Sequence, residues 1–215
     1  MDKFPIAAAG RVVPGALDNI RRYCGLAWSG GSPECWGWRY YDAVESAHDE
    51  AVTPVDVLCA SAVHPGLSRS DLAFFEDRRR SLAAFLAKIP PDRRLWEVPE
   101  EVVDHVADLT ALFPEASVAL VSKVLHRKRP HVIPLLDRQV VDWYRPVTGK
   151  RAMAEAWGPI VRALRAEETD GETRLLRAIA LTPLEKELWP FRQEDERPRL
   201  SWIRAVDIAV WMTSR

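Results

Sequence analysis

Apolar residues recur at helical spacing through most of the chain, and this periodicity restricts the fold more than any other feature. Leu72, Phe75, Leu82 and Phe85, for example, fall on one face of a helix. Start signals such as Thr53-Pro54, a capping residue followed by proline, precede the periodic segments. The pattern predicts helices over 53–64, 70–89, 99–112, 116–127, 137–144, 151–166, 172–181 and 201–211.

Strand patterns are missing from the same sequence. No run alternates convincingly between apolar and polar residues, and no hairpin dipeptide joins two such runs. We therefore predict an all-α protein of eight to ten helices. The length fits a single globular helical domain over residues 1–215, in which residues 1–50 could form a small lobe.

Composition indicates an ordinary water-soluble protein. Hydrophobic residues make up 47% of the chain, charged residues 28%, and the formal net charge is −1. We expect no membrane span, because no segment reaches the roughly 18 apolar residues that one needs. The first residues lack a secretory pattern, and the three cysteines have no framework spacing, so we expect a cytoplasmic protein. We expect no metal ion and no other cofactor.

Charge is distributed unevenly between two neighbouring segments. Residues 123–151 carry eight Lys or Arg against two Asp, whereas residues 95–117 carry six acids and neither Lys nor Arg. The basic block could contact phosphates, in which case binding would depend strongly on salt. Alternatively, two adjacent helices pair their opposite charges on a solvated face.

Asp137 follows Pro134-Leu135-Leu136 and opens a predicted helix. One interpretation is an N-cap, in which the carboxylate accepts backbone N–H groups of the first turn. The other is a catalytic acid, because an ionised carboxylate in a partly apolar cleft can stabilise an oxocarbenium-like sugar cation or activate a water.

The stretch from Phe113-Pro114-Glu115-Ala116-Ser117-Val118 to Pro134-Leu135-Leu136-Asp137-Arg138-Gln139-Val140 resembles part of the helix-hairpin-helix DNA glycosylase superfamily. The likeness covers residues 113–141. It implies a glycosylase-like helical fold and places Asp137 at the position of the catalytic carboxylate.

Two departures from that pattern refine the expectation. Residues 113–117 contain no glycine, whereas the superfamily's hairpin glycines let backbone amides approach a DNA phosphate. No lysine lies near Val118, where bifunctional members would carry their nucleophile. A glycosylase-like activity here should therefore proceed through water, without a Schiff base.

Most of the chain is also similar to an uncharacterised family of actinobacterial proteins, which implies no activity. The likeness rests on residues 53–58, on Lys128-Arg129-Pro130 with Pro134 and Asp137, and on residues 203–212.

Asp207 lies on or beside the apolar stripe of the last predicted helix. A carboxylate there needs a partner, because a buried unpaired charge costs several kcal/mol. It is either a second active-site acid or half of a structural ion pair with an arginine such as Arg129 or Arg204.

Aromatic residues are concentrated between Gly25 and Asp42, which we predict to be a loop rich in glycine. Trp28, Trp36 and Trp38 could stack on a nucleobase or could anchor the segment to the core.

Two functional hypotheses follow. The first is a DNA glycosylase-like protein or nucleoside hydrolase that cleaves N-glycosidic bonds with Asp137 as its catalytic acid. The second is a non-catalytic helical module that binds nucleic acid, a nucleotide or a protein partner. We make no prediction of oligomeric state. In the first hypothesis the residues expected to hold phosphate, shape the pocket or stack on the base are Lys128, Arg129, Arg138, Trp36, Trp38 and Tyr41.

Overall fold

Helices form nearly all of the regular structure. The computed structural model describes residues 6–26, 35–46, 49–64, 66–189 and 200–213. These residues form two strands, twelve α-helices and a π-helix. In chain order they are β1 (Ala7–Ala8), β2 (Arg11–Val12), α1 (Ala16–Cys24), α2 (Cys35–Gly37), the π-helix (Trp38–Asp42), α3 (Pro54–Ser61), α4 (Arg69–Asp77), α5 (Arg79–Leu86), α6 (Glu100–Ala107), α7 (Leu109–Leu112), α8 (Val118–Lys128), α9 (Arg138–Thr148), α10 (Met153–Thr169), α11 (Gly171–Leu188) and α12 (Trp202–Met212).

The all-α prediction is confirmed. Of the four helices beyond the eight predicted ranges, two are α1 and α2, and the other two arise where predicted helices are interrupted. The predicted helix 70–89 is interrupted at Arg78, whose backbone (φ −96°, ψ 6°) leaves the helical region. Asp108 (φ −83°, ψ 3°) divides the predicted helix 99–112 in the same way. Single-residue interruptions leave the apolar periodicity intact, so the pattern alone does not detect them.

The two strands form a very small antiparallel hairpin in which Ala7 pairs with Val12. Ala9 and Gly10 make the turn with positive φ values of 54° and 67°. The Ala9 N–H donates to Glu167 Oε1 over 2.6 Å, which holds this turn on α10. Strands of two residues are too short to produce an alternating pattern.

Capping side chains fix several helix starts. Thr53 and Asp56 form a reciprocal capping box at α3, as the Thr53-Pro54 signal predicted. Ser68 and Asp71 form a second box, so α4 begins slightly before the predicted position.

The helix α8 lies at the centre of the protein, with every one of its residues buried. Around it, α3 packs on α8, α10 packs on α6, α8 and α9, and α12 packs on α1 and α9. The connector 129–137 between α8 and α9 therefore crosses the interior. In the described segments no helix is both long and apolar enough to cross a membrane.

Candidate functional site

The connector between α8 and α9 is tied to α8 by side-chain hydrogen bonds. Ser122 Oγ accepts the Leu136 N–H at 3.2 Å, and His126 Nδ1 donates to the Ile133 carbonyl over 2.6 Å. Burial lowers the pKa of His126 to about 3, so its ring is neutral. These bonds fix the position from which α9 begins.

Asp137 is the residue at that position, and it is the N-cap of α9. Its Oδ1 accepts the Val140 N–H at 3.0 Å, as the capping interpretation predicted. Asp137 is half-buried, and no described residue donates a hydrogen bond to its Oδ2. One carboxylate oxygen is therefore committed to the helix, and the other is available to a ligand.

Lys123 of α8 brings a positive charge toward this carboxylate. Lys123 is only 5% exposed, and its Nζ makes neither a hydrogen bond nor an ion pair within the described segments. Burial lowers the pKa of Lys123, whereas the negative charges of Asp137 and Asp207 work in the opposite direction. An ammonium group without its own partner thus lies near two carboxylates.

Asp207 is the second of these carboxylates and comes from α12. Its Oδ2 accepts a hydrogen bond from Arg204 Nη1, whereas its buried Oδ1 has no partner in the described structure. Burial raises the pKa of Asp207 to about 7, despite the opposing charge of Arg204, and the charge of Asp137 raises it further.

A small cavity of about 10 Å³ adjoins Asp207, close to the least volume that holds one water. Leu135 and Val140, which flank Asp137 along the chain, line the same cavity. The connector, the start of α9 and the middle of α12 therefore border one small cavity next to Asp207.

Arg204 connects this cluster to the N-terminal part of the chain. Its guanidinium donates to both oxygens of Asp42, over 2.8 and 2.9 Å, and to Tyr23 Oη over 2.5 Å. Tyr23 in turn donates to Asp42 Oδ2 over 2.6 Å. All three side chains are largely or wholly enclosed, so this is a buried ion pair with its hydrogen bonds satisfied.

The basic residues expected to hold phosphate are used inside the protein. Lys128 Nζ lies 3.0 Å from Asp56 Oδ2 and 3.1 Å from Asp49 Oδ1. Arg129 is 1% exposed and donates to the Ile89 carbonyl, among other acceptors. Because both cations are buried and paired, neither offers a charged surface to a phosphate in this structure.

Arg138 is different, since its side chain is 70% exposed. It lies at the first position of α9, next to Asp137, and forms a 3.4 Å ion pair with Asp142 one turn later. It is the predicted phosphate contact that remains open to solvent.

The predicted aromatic loop is partly helical. Trp36 belongs to α2, whereas Trp38 and Tyr41 belong to the π-helix, and Trp28 lies outside the described residues. Trp36 is 58% exposed and stacks on Tyr40 with ring centroids 4.8 Å apart.

The other two predicted stacking residues face the protein. Trp38 is half-buried and packs against Trp189, with the ring centroids 5.1 Å apart. Tyr41 is buried, and its hydroxyl donates to the Lys123 carbonyl over 2.6 Å. Of the three rings, Trp36 alone presents a large free surface.

Lys123 and Asp42 were not predicted as members of the cluster, whereas Arg204 was named as a possible ion-pair partner of Asp207. Lys123 was counted within the basic block, although the flanking Ser122 and Val124 place it on a helix with little polar surface. The sequence held no local signal for Asp42, because its partner is 162 residues away.

No described group of three or more His, Cys, Asp and Glu side chains is arranged to hold a metal ion. The candidate site consists of the carboxylates of Asp42, Asp137 and Asp207 and the cations of Lys123 and Arg204.

The fold and this cluster define a class of protein. It is a helical protein in which the carboxylate that caps α9 lies near a buried lysine and a buried Asp–Arg ion pair. The model of DUF6308, a family of unknown function, matches residues 16–214, so the chain belongs to that family. This confirms the predicted likeness to an uncharacterised family over most of the chain. No curated protein and no solved structure is significantly similar to it.

Proposed function

We propose that the protein hydrolyses the N-glycosidic bond of a nucleoside-like substrate, with Asp137 as the carboxylate that acts on the sugar. The observation that carries the proposal is that the two carboxylate oxygens of Asp137 have different roles. Oδ1 caps α9, whereas Oδ2 has no hydrogen bond from a described residue and lies near the unpaired ammonium of Lys123.

The chemistry of this bond suits such a carboxylate. As the C1′–N bond breaks, its electron pair leaves with the base and the sugar acquires oxocarbenium character. The ionised Asp137 stabilises that cation and accepts a proton from the attacking water, whose oxygen forms the new bond to C1′. The resemblance of residues 113–141 to helix-hairpin-helix DNA glycosylases supports the same assignment.

Lys123 supplies hydrogen-bond donors rather than the nucleophile in this proposal. Its ammonium has three N–H groups that no described residue uses, so it can hold a sugar hydroxyl or the departing base. The exposed ring of Trp36 is the described aromatic surface best suited to stack on a base.

A small substrate fits better than duplex DNA. Lys128 and Arg129 are engaged with the protein's own acceptors, and residues 113–117 have no glycine that would let a phosphate approach the backbone. DNA glycosylase activity is therefore one outcome of the test rather than its expected result.

The second candidate function is a non-catalytic binding module. The hydrogen bond from the Val140 N–H to Asp137 Oδ1 favours it, because capping alone explains an aspartate at this position.

The deciding experiment measures hydrolysis of a panel of nucleosides and of oligonucleotides with damaged bases. It compares wild type with Asp137→Asn and with Asp142→Asn, a surface carboxylate on the same helix. Asparagine is as good an N-cap as aspartate, so Asp137→Asn should remain folded. We expect it to lose about 100-fold or more in turnover, while Asp142→Asn keeps wild-type rates.

Two results would exclude the hydrolase. One is wild-type turnover by Asp137→Asn. The other is no turnover of any substrate by the folded wild type, which would favour the binding module.

A further inference from the structure

We propose that Asp207 is a second carboxylate of the Asp137 site and that the site binds a cationic ligand with release of the proton held by Asp207. The inference rests on the proposed function, because it names the charge of the species that Asp137 stabilises. It adds a residue and a ligand class that hydrolysis by Asp137 alone does not require.

The placement of Asp207 is the first argument. It borders the same water-sized cavity as Leu135, two residues before Asp137, and Val140, whose N–H Asp137 caps. Its Oδ2 is held by Arg204, and its Oδ1 is buried without a partner among the described residues. A buried polar atom without a hydrogen bond is costly, and the cavity beside Asp207 has room for one small polar group to supply that bond.

The surrounding charges are the second argument. When Asp207 holds a proton, the cations Lys123 and Arg204 balance the anions Asp137 and Asp42. Ionisation of Asp207 then gives the cluster an excess negative charge. Several charged and titratable groups act on Asp207, share its hydrogen-bond network or line its cavity. They are Arg204 on its own helix, Asp137 at the start of α9, Tyr144 farther along α9, Lys123 on α8, Tyr23 on α1, and Tyr41 and Asp42 on the π-helix.

Release of the Asp207 proton and binding of the cationic ligand are thermodynamically linked. A cation beside Asp137 stabilises the ionised form of Asp207, and ionised Asp207 strengthens the binding of that cation by the same factor. Burial holds the proton of Asp207 up to a pKa of about 7, so this exchange falls near neutral pH. Cation affinity should therefore rise as the pH increases through neutrality.

The first test needs no ligand. NMR titration of the Asp207 carboxyl carbon and of the Lys123 side chain should show both signals moving near pH 7, because Lys123 senses the new charge. In Asp207→Asn the Lys123 transition near neutrality should vanish. Glu168→Gln, which removes a different buried carboxyl group, should leave it unchanged. A Lys123 transition that persists in Asp207→Asn would overturn the coupling.

The second test uses 1,4-dideoxy-1,4-iminoribitol, an amine whose protonated ring imitates a ribosyl cation. We expect its affinity for wild type to rise about tenfold between about pH 5.5 and about pH 8. Calorimetry in buffers of different ionisation enthalpy should show proton release. Asp207→Asn should bind with little pH dependence, and Glu168→Gln should behave as wild type.

The outcomes separate the two proposals. If the affinity for iminoribitol rises with pH equally in wild type and in Asp207→Asn, the proposed role of Asp207 is overturned. The proposed hydrolysis by Asp137 is then unaffected. Absence of iminoribitol binding at every pH, together with a normal Lys123 transition, overturns the cationic ligand and counts against the sugar-cation chemistry of the proposed function.

Discussion

Arg204 holds Asp42 by two parallel hydrogen bonds of 2.8 and 2.9 Å, although 162 residues separate them in the chain. This pair fastens the π-helix to α12. Tyr41, the neighbour of Asp42, thereby reaches the carbonyl of Lys123 in α8. One buried ion pair thus joins three segments that all contribute to the candidate site.

Asp42→Asn should destabilise the protein by about 3 to 5 kcal/mol, because it leaves the buried Arg204 without one of its two carboxylates. Chemical denaturation of wild type and variant measures the change. Asp142→Asn, which removes the partner of exposed Arg138, should cost less than about 1 kcal/mol. Equal losses of stability in the two variants would show that the buried Arg204–Asp42 pair contributes no more than the exposed Arg138–Asp142 pair.

The helices from α3 onward were predictable because their apolar residues recur at helical spacing, and some carry capping signals as well. The helices α1 and α2 were not among the predicted ranges. Thr53 and Asp137 were placed correctly as helix starts from their immediate neighbours. The breaks at Arg78 and Asp108 were not, because a single residue leaving helical geometry does not disturb the spacing of the apolar positions.

The candidate site was less predictable, since it depends on contacts between distant segments. Asp137 was identifiable because its proline-bounded connector is a local feature. The partners of Lys128 come from residues 49 and 56, so a cation that seemed available to phosphate is enclosed by carboxylates that local reasoning could not assign to it. Charge counts along a sequence do not reveal which charges meet in the interior.

Lys128→Met tests this interpretation of the basic block. Asp56 keeps Arg127 as a partner at 3.2 Å, so we expect a moderate destabilisation of about 2 kcal/mol in chemical denaturation. DNA affinity, measured by fluorescence anisotropy at several salt concentrations, should be the same for Lys128→Met and wild type. The matched control is Arg138→Met, which removes a cation that is exposed to solvent rather than buried. A stable Lys128→Met variant with weaker, less salt-dependent DNA binding would instead support a phosphate contact.

Ser122→Ala should loosen the connector that positions Asp137. The Leu136 N–H would lose its acceptor in a buried setting, at a cost of about 1 to 3 kcal/mol. Hydrogen exchange resolved by residue should show faster exchange at Leu136 and at the start of α9. Ser61→Ala, which removes an exposed hydroxyl bonded within α3, should leave this region unchanged. Wild-type exchange at Leu136 in Ser122→Ala would argue that packing alone fixes the connector.

Gly37 should not tolerate a side chain. A Cβ at this position would lie 2.3 Å from the Tyr23 hydroxyl, which is fixed by its bonds to Asp42 and Arg204. Gly37→Ala should therefore destabilise the protein by about 1 to 3 kcal/mol through overpacking. The double variant Gly37→Ala/Tyr23→Phe removes the hydroxyl and should recover part of the overpacking cost in a double-mutant cycle. Additive losses would mean that Gly37 and Tyr23 do not interact.

Glu168 is a buried carboxyl group on α10 that lines a different cavity from Asp207. Neither of its oxygens has a hydrogen-bond partner in the described structure, and Arg177 Nη1 lies 3.8 Å from Oε1. A cavity of about 10 Å³ adjoins it beneath Trp96 and Trp202, whose stacked rings lie 5.0 Å apart. Burial raises the pKa of Glu168 to about 8, and the charge of Arg177 offsets only part of this effect.

Glu168→Gln should consequently change how stability depends on pH. Between about pH 4.5 and about pH 8 the native protein keeps the Glu168 proton whereas the unfolded chain loses it, so wild-type stability falls as the pH rises. Glutamine removes this contribution, while the similar contribution of Asp207 remains in both proteins and cancels. The stability of Glu168→Gln relative to wild type should therefore increase by several kcal/mol across this range, as measured by urea denaturation at a series of pH values. Exposed Glu155→Gln should show no such trend, and parallel curves for Glu168→Gln and wild type would mean that Glu168 is ionised in the native protein.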